Sequence, residues 1–266
     1  MGGAAPEGLP DWVTLLRAPN PGPMTLDGTN TWVLRAPGET RGVVIDPGPL
    51  DESHLRRIAG HGPFHAILIT HGHHDHVEGA ARLSELLGGT PVLAADPAHA
   101  IPAEPMVSGH LPVDGLTVEV LATPGHTADS VSFLVNGEAL FTGDTILGRG
   151  TTVVAHPDGD LGKYLSSLRR LSAYEKILML PGHGPARDDV SVVAREYLSH
   201  REERLAQVTA AMRAGAETAE QVVDIVYPDI DPAVRFAAIW SAAAQLDYLN
   251  HKNRESGTLA GGLDRL

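Results

Sequence analysis

The sequence contains no cysteine among its 266 residues. A disulfide framework is therefore excluded, and no thiolate is present to act as a nucleophile or to bind a metal ion. Any metal that the chain binds must be held by nitrogen and oxygen atoms. The chain has 14 histidines, which is many for its length, so their arrangement is the first feature to follow.

Long apolar runs are missing as well. None approaches the roughly 18 consecutive apolar residues that a membrane-spanning helix requires. The segment 1–10 is small, acidic and rich in glycine and proline, and it lacks the basic start and apolar stretch of a signal peptide. We therefore expect a cytoplasmic protein with a short N-terminal tail and no membrane partner.

Basic residues are few, since 20 lysines and arginines face 33 acidic residues and the net charge is -13. An acidic surface does not attract polyanions over long range, which counts against a dedicated nucleic-acid binder. A nuclease is not excluded, because local basic patches and metal ions can override the mean charge. Hydrophobic residues make up 42% of the chain, enough to bury a sizeable core.

Apolar runs and turn residues divide the chain into two parts, a mixed α/β domain at 1–190 and a helical domain at 191–266. The first part predicts strands at 31–34, 42–45, 66–70, 91–94, 116–121, 131–135, 139–141 and 177–180. It also predicts helices at 51–59, 77–87 and 161–171. The second part predicts helices at 188–213, 218–227 and 231–250, then a hairpin or disordered tail at 254–266, with no further strand.

A dense cluster of metal-ligand types follows the predicted strand 66–70. His71 and His73 are two residues apart on the loop that leaves the strand, so their side chains lie on the same side. Asp75 and His76 follow at once, where the chain enters the next helix. The turn between the two pairs displaces them by a few ångströms, which is the arrangement that a two-metal site needs.

Three later strands end in the same style, each with a small-residue turn and then one ligand-type residue. His126 follows the strand 116–121, Asp144 follows 139–141 and His183 follows 177–180. Glycine before each of them lets the backbone turn sharply, and strand ends fix the side chains that they carry. Five histidines and two aspartates then provide three terminal ligands for each of two metals if one carboxylate is shared. This nitrogen and oxygen set suits Zn²⁺, with Mn²⁺ or Fe²⁺ also feasible.

Histidines scattered at random would rarely produce this combination, so a metal site is the better explanation of the pattern. We expect His74 to be a bystander that points away from His71 and His73. His156 and His200 lie near turns that could face the site. The remaining histidines have no supporting context and are predicted to lie at the surface: His54, His61, His65, His99, His110 and His251.

The full ligand pattern resembles that of the metallo-β-lactamase superfamily, over residues from about 12 to 190. The resemblance implies an αββα sandwich with the metals at one edge, between the two sheets. It implies that one metal is held by His71, His73 and His126, and the other by Asp75, His76 and His183, with Asp144 bridging them. True β-lactamases of this fold lack the bridging aspartate, so antibiotic hydrolysis is not expected as the main activity.

Three stretches are most similar to the β-lactamase-like protein 2 group: NPGPMTLDGTNT at 20–31, TPGHTADS at 123–130 and GDTILG at 143–148. The helical segment after residue 190 is similar to that group's C-terminal winged-helix-like module, although a wing after residue 250 is short or missing. The group includes endoribonucleases directed at single strands and thioesterases that release carrier-bound polyketides. The resemblance therefore does not fix the substrate.

The chemistry expected from such a centre is hydrolysis by a hydroxide that bridges two metals. Asp75 and Asp144 are the catalytic candidates, because either could shuttle a proton. Thr70, Thr123 and Asp129 are candidates for orienting the imidazoles. The residues proposed to face the substrate are Arg149, Thr151, Thr152 and Asn30, with a surface salt bridge and a turn role as the alternatives for Arg149 and Asn30.

Several functions stay open at this point. The first is hydrolysis of an ester or thioester, on a small molecule or an acylated carrier, with a lactone as a variant. The second is cleavage of single-stranded RNA, for which a basic strip on the helix 188–213 could contact phosphates; glutamates interrupt that strip, and a solvated, salt-bridged face explains it better. The third is a metal-stabilised binding module without catalysis, against which the complete ligand set argues. The basic strip consists of Arg195, Arg201, Arg204 and Arg213.

The sequence does not fix the oligomeric state.

Overall fold

The computed structural model describes residues 8–102 and 104–261. The strands are β1 Val13–Arg17, β2 Asn30–Leu34, β3 Gly42–Ile45, β4 Phe64–Leu68, β5 Val92–Leu93, β6 Gly109–Val113, β7 Leu116–Ala122, β8 Val131–Val135, β9 Ala139–Gly143 and β10 Leu178–Pro181. The α-helices are α1 Glu52–Ala59, α2 His74–Val77, α3 Ala80–Leu86, α4 Leu161–Leu171, α5 Val190–Arg213, α6 Ala219–Val226 and α7 Arg235–Gly261. Short 3₁₀ turns occupy Pro97–His99 and Pro232–Val234.

The strands form two sheets of five. The first sheet has the order β1-β2-β3-β4-β5, and the second has the order β10-β9-β8-β7-β6. Parallel pairing joins β3 to β4, β4 to β5 and β9 to β10, whereas the other neighbours are antiparallel. Parallel neighbours leave their carboxyl ends at the same edge of a sheet, which brings the loops after β9 and β10 together.

The main core lies between the two sheets. Trp32 of β2 and Phe141 of β9 meet there edge to face, with ring centroids 5.8 Å apart, and Phe133 of β8 joins the same cluster. Helices cover the outer faces, so that α1 and α3 bury apolar residues against the first sheet, and α4 and α5 do so against the second. The layers therefore run helices, sheet, sheet, helices, as an αββα sandwich requires.

Helix caps fix where the outer helices begin. The carboxylates of Asp51, Asp160 and Asp189 accept hydrogen bonds from the first-turn amides of α1, α4 and α5. Thr218 and Gln221 form a reciprocal capping box at the start of α6. The cap at Asp189 lies next to the predicted domain boundary at residue 190. The first half of α5 nevertheless packs in the same cluster as α4. The boundary therefore stays a prediction.

The C-terminal part of the described chain is helical. The second half of α5 packs with α6 and α7 around a separate apolar cluster that includes Val208, Val222 and Ala242. After β10, no strand occurs among the residues described up to 261. The α/β class with a helical C-terminal region is confirmed, and the winged-helix likeness of that region stays a prediction. Within the described chain no helix has the length and apolarity needed to cross a bilayer.

Several boundaries differ from the prediction. The edge strands β1 and β6 were not predicted: β6 contains a glycine and a proline, which weaken a strand signal and are tolerated at an edge. The predicted helix 77–87 corresponds to α3, and α2 is a separate short helix that precedes it and was not predicted. The two are separated where Gly79 lies against Gly48 and Leu55 too closely for a side chain. The last helix begins at 235 and continues to 261 rather than ending at 250, so a hairpin from 254 is wrong. Residues 1–7 of the predicted tail and 262–266 lie outside the described part.

Candidate metal centre

The seven predicted ligands converge at one edge of the sandwich. The loop after β4 carries His71 and His73, and α2 carries Asp75 and His76. The remaining three follow strands of the second sheet, namely His126 after β7, Asp144 after β9 and His183 after β10. Parallel pairing of β9 with β10 sets Pro181 beside Gly143, which places the last two of these loops side by side.

Three histidines form a first group. The Nε2 atom of His71 lies 3.0 Å from Nδ1 of His73, and Nε2 of His126 lies 3.1 Å from that same atom. The ligand atoms of the group all lie within 4.8 Å of one another, so the group could hold a metal ion. His73 is exposed, whereas the other two are buried, which opens the group to solvent on one side.

A second group lies beside the first. The Nε2 atoms of His76 and His183 are 3.2 Å apart, and Oδ2 of Asp75 lies 3.0 Å from Nε2 of His183. These three residues could also hold an ion. The ring centroids of His71 and His76 are only 4.3 Å apart, so the two groups adjoin.

Asp144 lies between the groups. One carboxylate oxygen, Oδ1, lies 3.5 Å from Nε2 of His76, and the other, Oδ2, lies 3.4 Å from His183 and 3.9 Å from His126. His71, His76 and Asp144 form a third group of ligand atoms within 4.8 Å of one another. A carboxylate that contacts histidines of both groups has the position that a shared ligand needs.

Hydrogen bonds to the far side of the rings orient the histidines. The hydroxyl of Thr70 donates to Asp46, so it must accept from Nδ1 of His71, at 3.0 Å. Nδ1 of His126 donates to the carbonyl of Val153 at 2.8 Å. Each proton on Nδ1 leaves the lone pair of Nε2 facing the centre, the orientation that partners behind a metal-binding histidine impose.

Asp46 is a functional residue that the sequence analysis missed. It is 1% exposed, and its carboxylate accepts hydrogen bonds from the amide and hydroxyl of Thr70 and from Nδ1 of His76. It follows β3 directly, and its turn of Pro47 and Gly48 comes after it, the reverse of the order at His126, Asp144 and His183. A search for acidic residues at strand ends in either order could have found it.

Burial makes the two buried histidines of the first group, His71 and His126, favour the neutral ring. It lowers the pKa of His71 well below its usual value, and the neighbouring His76 and His126 lower it further. Burial also lowers the pKa of His126 to about 4, although Asp144 opposes the shift. Neutral imidazoles are the form that binds a metal.

Carboxylates reverse this direction in the second group. Burial opposes charge on His183, but Asp144 and Asp75 outweigh it and raise its pKa to about 9. Burial likewise opposes charge on His76, but carboxylates that include Asp75 and Asp144 raise its pKa well above the usual value. Protons on these rings compensate the carboxylates where no cation does so, and a bound cation would displace them.

Two observations test whether this donor set fits metal ions. The buried Oδ1 atom of Asp144 has no hydrogen-bond partner among the described residues. Ring nitrogens approach each other to about hydrogen-bond distance in both groups, although a pair of lone pairs repels unless a proton or a cation lies between them. Imidazole and carboxylate together are the ligands of borderline divalent ions. These residues therefore fit a site for divalent metal ions.

Glycine at position 182 is required by the packing around the centre. A Cβ atom there would lie 2.4 Å from Oδ1 of Asp144 and 2.7 Å from Cε1 of His76. Gly143 has a φ of +50°, and a Cβ atom would lie 2.6 Å from the hydroxyl of Thr70. Both glycines allow the backbone to approach the ligands directly.

Three of the four predicted substrate residues line a cavity of about 190 Å³ beside His126 and Asp144. These are Arg149, Thr151 and Thr152. The guanidinium of Arg149 is half exposed and forms a two-pronged ion pair with Asp27, the surface salt bridge weighed as its alternative. The hydroxyl of Thr152 donates to the carbonyl of Asp144 at 2.8 Å, so it fixes the loop more than it faces the cavity.

Asn30 is not brought to the cavity. It is fully buried, and its side-chain amide donates to the carbonyls of Pro181 and Gly184, at 3.0 and 2.9 Å. Its Oδ1 atom accepts from Arg17. Asn30 therefore supports the loop that carries His183. This position agrees with the structural role named as its alternative and not with the predicted contact with substrate.

The other predicted residues differ in whether they lie near the ligand groups. His74 is exposed and belongs to none of the groups that could hold an ion, and His156 is exposed on a turn. Thr70 contacts a ligand histidine, whereas the hydroxyl of Thr123 lies between Ser132 and Thr145. Asp129 lines a small cavity of about 180 Å³ with Gly72, His73 and His99.

The prediction that His54 lies at the surface is wrong. It is 2% exposed, its Nε2 atom lies 3.0 Å from the hydroxyl of Thr31, and Nδ1 accepts from Arg57. Because Thr31 donates to the backbone carbonyl of Asp46, its hydroxyl accepts from His54. His54 therefore supports the segment that carries Asp46, from behind the ligands.

Residues 24–183 match the family model described as the metallo-beta-lactamase superfamily. The chain belongs to the metallo-β-lactamase superfamily. A beta-lactamase-like protein 2 homolog from Caenorhabditis elegans is 36% identical over 88% of this chain and 82% of its own length. An atrochrysone carboxyl ACP thioesterase from Aspergillus fumigatus is 32% identical, over 82% of this chain and 75% of its own.

The fold is shared with a solved superfamily member. The crystal structure of a metallo-beta-lactamase family protein from Thermus thermophilus aligns with a TM-score of 0.74 and 23% identity, over 91% of this chain and 94% of that one. The predicted superfamily, its sandwich and the likeness to the β-lactamase-like protein 2 group are thus confirmed. The chain is a metallo-hydrolase of the metallo-β-lactamase fold.

Proposed function

We propose that this superfamily hydrolase holds two divalent ions and cleaves acyl thioesters, with an acylated carrier as the substrate class. The observation that carries the proposal is the pair of adjoining ligand groups, with Asp144 between them, beside a cavity that His126 and Asp144 line. Zn²⁺ is the proposed ion, and Mn²⁺ or Fe²⁺ fit the same donors. When bound, such ions supply Lewis acidity that activates water near neutral pH and polarises a carbonyl oxygen.

The ligand assignment proposed for the ions follows the two groups. His71, His73 and His126 would hold one, and Asp75, His76 and His183 would hold the other, with Asp144 shared. Asp75 and Asp144 are also the proposed proton carriers. Their pKa values stay low despite burial, because His76 and His183 stabilise the carboxylates, so both groups are ionised, which is the form that binds a metal ion.

The cavity walls favour an acyl substrate. Pro23, Met24, Leu26 and Leu147 line it together with the ligands, so a hydrocarbon chain could pack there beside the reacting carbonyl. The thioesterase among the relatives supports the same class. The net charge of -13 would repel a polyanion but not an acyl chain.

Three of the four arginines in the α5 strip considered for RNA make contacts within the chain. Arg201 is 4% exposed and donates to the carbonyl of Thr152, and its guanidinium lies over the Tyr164 ring. Arg204 lies over the Tyr227 ring, and Arg195 donates to Ser191 and pairs with Glu175. These arginines are therefore poorly placed to bind phosphates. Cleavage of single-stranded RNA is kept as the alternative that the test below can reveal.

The test is a parallel assay of the zinc-loaded chain on three substrates: an acyl thioester of N-acetylcysteamine, a lactone and fluorescent single-stranded RNA. We expect thioester hydrolysis to dominate and to be lost in Asp144→Ala. The Asp144→Ala protein also controls for contaminating nucleases and esterases. Faster cleavage of RNA or lactone that disappears in Asp144→Ala would reject the thioester proposal, and no activity on any substrate after zinc loading would reject the proposed reaction.

A further inference from the structure

One loop, at 144–153, contacts two of the proposed ligands although it contains neither helix nor strand. Its first residue is Asp144, and the carbonyl of its last residue, Val153, accepts a hydrogen bond from Nδ1 of His126 at 2.8 Å. The hydroxyl of Thr152 donates to the carbonyl of Asp144 at 2.8 Å, which ties the end of the loop to its beginning. The position of this loop therefore affects the backbone of the shared carboxylate and the ring of a ligand on another strand.

Side chains from two helices fix the first half of the loop. A segment without regular structure has no ladder of backbone hydrogen bonds, so contacts from other elements must hold it in place. The hydroxyl of Tyr164 on α4 donates to the carbonyl of Thr145 at 2.8 Å. The backbone amide of Leu147 donates to the hydroxyl of Tyr197 on α5 at 3.1 Å. Both helices thus act as supports behind the loop.

Arg201 of α5 contacts the second half of the loop. Its Nη2 atom donates to the carbonyl of Thr152, and its guanidinium carbon lies 5.2 Å from the ring centroid of Tyr164. The carbonyls of Thr152 and Val153 belong to adjacent planar peptide units, so a donor that holds the first restricts the direction of the second. Arg201 is therefore separated by a single residue of chain from the acceptor that orients His126.

The burial of Arg201 needs an explanation, since the residue is only 4% exposed. Removing a guanidinium from water costs free energy, and the hydrogen bond to a carbonyl and the contact with an aromatic ring offset only part of that cost. A long apolar side chain such as methionine could fill the same space without a charge to bury. The hydrogen bond to the loop is what the arginine adds, and its effect on the loop explains why a charge is buried there.

We propose that Arg201 is a positioning residue of the metal centre. Its hydrogen bond to the carbonyl of Thr152 fixes the peptide that follows, from which Val153 orients His126. Through the hydroxyl of Thr152 it also restrains the backbone of Asp144. The inference rests on the proposed function, because it concerns residues proposed as metal ligands. It gives the C-terminal helices a role at the centre, since α5 aligns two of these residues from behind.

The first test is the zinc affinity of the full chain, measured by competition with a chromogenic chelator. Arg201→Met removes the donor but keeps a long side chain beside the Tyr164 ring, and we expect the affinity to fall about tenfold, as when a partner behind a metal ligand is lost. Arg201→Lys retains a donor and should recover part of the affinity. Arg204→Met is the matched control, because Arg204 lies over the Tyr227 ring and its side chain bonds within α5. Its zinc affinity should equal that of the wild type.

The ring proton of His126 supplies a second readout, which a general loss of stability would not move while the chain is folded. The proton that Nδ1 donates to Val153 should give a slowly exchanging imidazole N–H signal in NMR spectra of the full chain, with zinc bound and after chelation. His126→Gln assigns the signal. We expect Arg201→Met to lose it or to exchange it much faster, whereas Arg204→Met should keep it.

The two readouts separate this inference from the proposed function. If the wild type binds zinc but hydrolyses no thioester, and only Arg201→Met loses the signal and the affinity, the proposed reaction is rejected and the positioning role stands. If the wild type binds no zinc, the ligand assignment is rejected, and the chelated chain still decides whether Arg201 orients His126. The inference is overturned by a signal that Arg201→Met retains, by its loss in Arg204→Met as well, or by measurable zinc affinities that are equal in wild type and Arg201→Met.

Discussion

Asp46 and His76 are joined by a fully buried hydrogen bond, 2.8 Å from the carboxylate oxygen to Nδ1 of the ring. The same oxygen accepts from the hydroxyl of Thr70, which in turn orients His71. One carboxylate therefore orients a histidine in each of the two ligand groups. It lies behind the ligands, so its effect on an ion is exerted through the rings.

Asp46→Asn should weaken metal binding while every ligand remains in place. The amide replaces one of the two charged oxygens with an NH₂ group, so either the backbone amide of Thr70 on one side, or the Thr70 hydroxyl and His76 on the other, faces a donor instead of an acceptor. Loss of such a partner behind a ligand typically lowers metal affinity by about 10- to 100-fold. Zinc affinity, measured by competition with a chromogenic chelator, checks this.

Asp189→Asn is the matched control for that measurement. Asp189 caps α5, and asparagine caps a helix about as well as aspartate, so the zinc affinity should stay at the wild-type value. An Asp46→Asn protein that also binds zinc like the wild type would show that the carboxylate does not orient the ligands.

Gly182→Ala should disrupt the centre through a single methyl group. That methyl would lie 2.4 Å from Asp144, so the loop or the carboxylate must move. We expect the bound zinc per chain, measured by elemental analysis after dialysis, to fall well below the wild-type value. Gly60→Ala is the control, because its methyl would lie 3.4 Å from the nearest atom and its φ is −63°. Equal zinc content in the two variants would contradict the packing argument.

Removal of the metal should lower the thermal stability of the chain. A ligand that binds only the folded state, present at roughly 100 times its Kd, adds about 2.7 kcal/mol to the free energy of unfolding. We expect chelation to lower Tm and Zn²⁺ to restore it, whereas Mg²⁺ should not, since it prefers oxygen ligands. The shift should shrink in Asp144→Ala. A Tm that is the same before and after chelation would contradict the presence of a bound ion.

His54 should make the stability depend on pH. Burial, and then the charge of Arg57, lower its pKa from 6.5 to about 4, so the folded chain binds this proton more weakly than the unfolded chain does. The stabilising contribution is complete above pH 6.5 and is lost as the pH falls toward 4. Its size is on the order of 3 kcal/mol, since one pKa unit corresponds to about 1.4 kcal/mol and the pKa falls from 6.5 to about 4.

Urea unfolding of the chelated protein at both ends of that window measures the effect. His54→Gln keeps a donor for Thr31 but has no titrating group, so its stability should fall less on acidification than that of the wild type. The ligand histidines titrate in both proteins, and the difference between the proteins isolates His54. Parallel loss of stability in wild type and variant would contradict the assignment.

The parts of the site that the sequence predicted share a local cause. Each ligand lies a few residues after an apolar strand, close to a glycine, so its position is set by a short stretch of chain. Asp46 also follows an apolar strand, but its role depends on contacts with Thr70 and His76 that lie 24 and 30 residues away. His54 carries no local signal at all, because its burial arises from helix packing.

The fold was predictable where periodicity was strong. The buried strands β2 and β3 are nearly continuous apolar runs, and α4 repeats leucines on one face. The edge strand β1 mixes exposed polar residues with buried ones, and its pairing with β2 is decided by tertiary contact.

The proposed ligands lie between residues 71 and 183, so the ribosome makes them in a fixed order. His71, His73 and His126 are all present once β7 and its following turn have been made, but the second group waits for β10. A ribosome that stalls before residue 183, or a truncation that removes β10, leaves Asp75 and His76 without their third partner. The second of the two proposed metal positions can therefore be completed only after both sheets have been translated, whereas the helices from α5 onward contribute none of its proposed ligands.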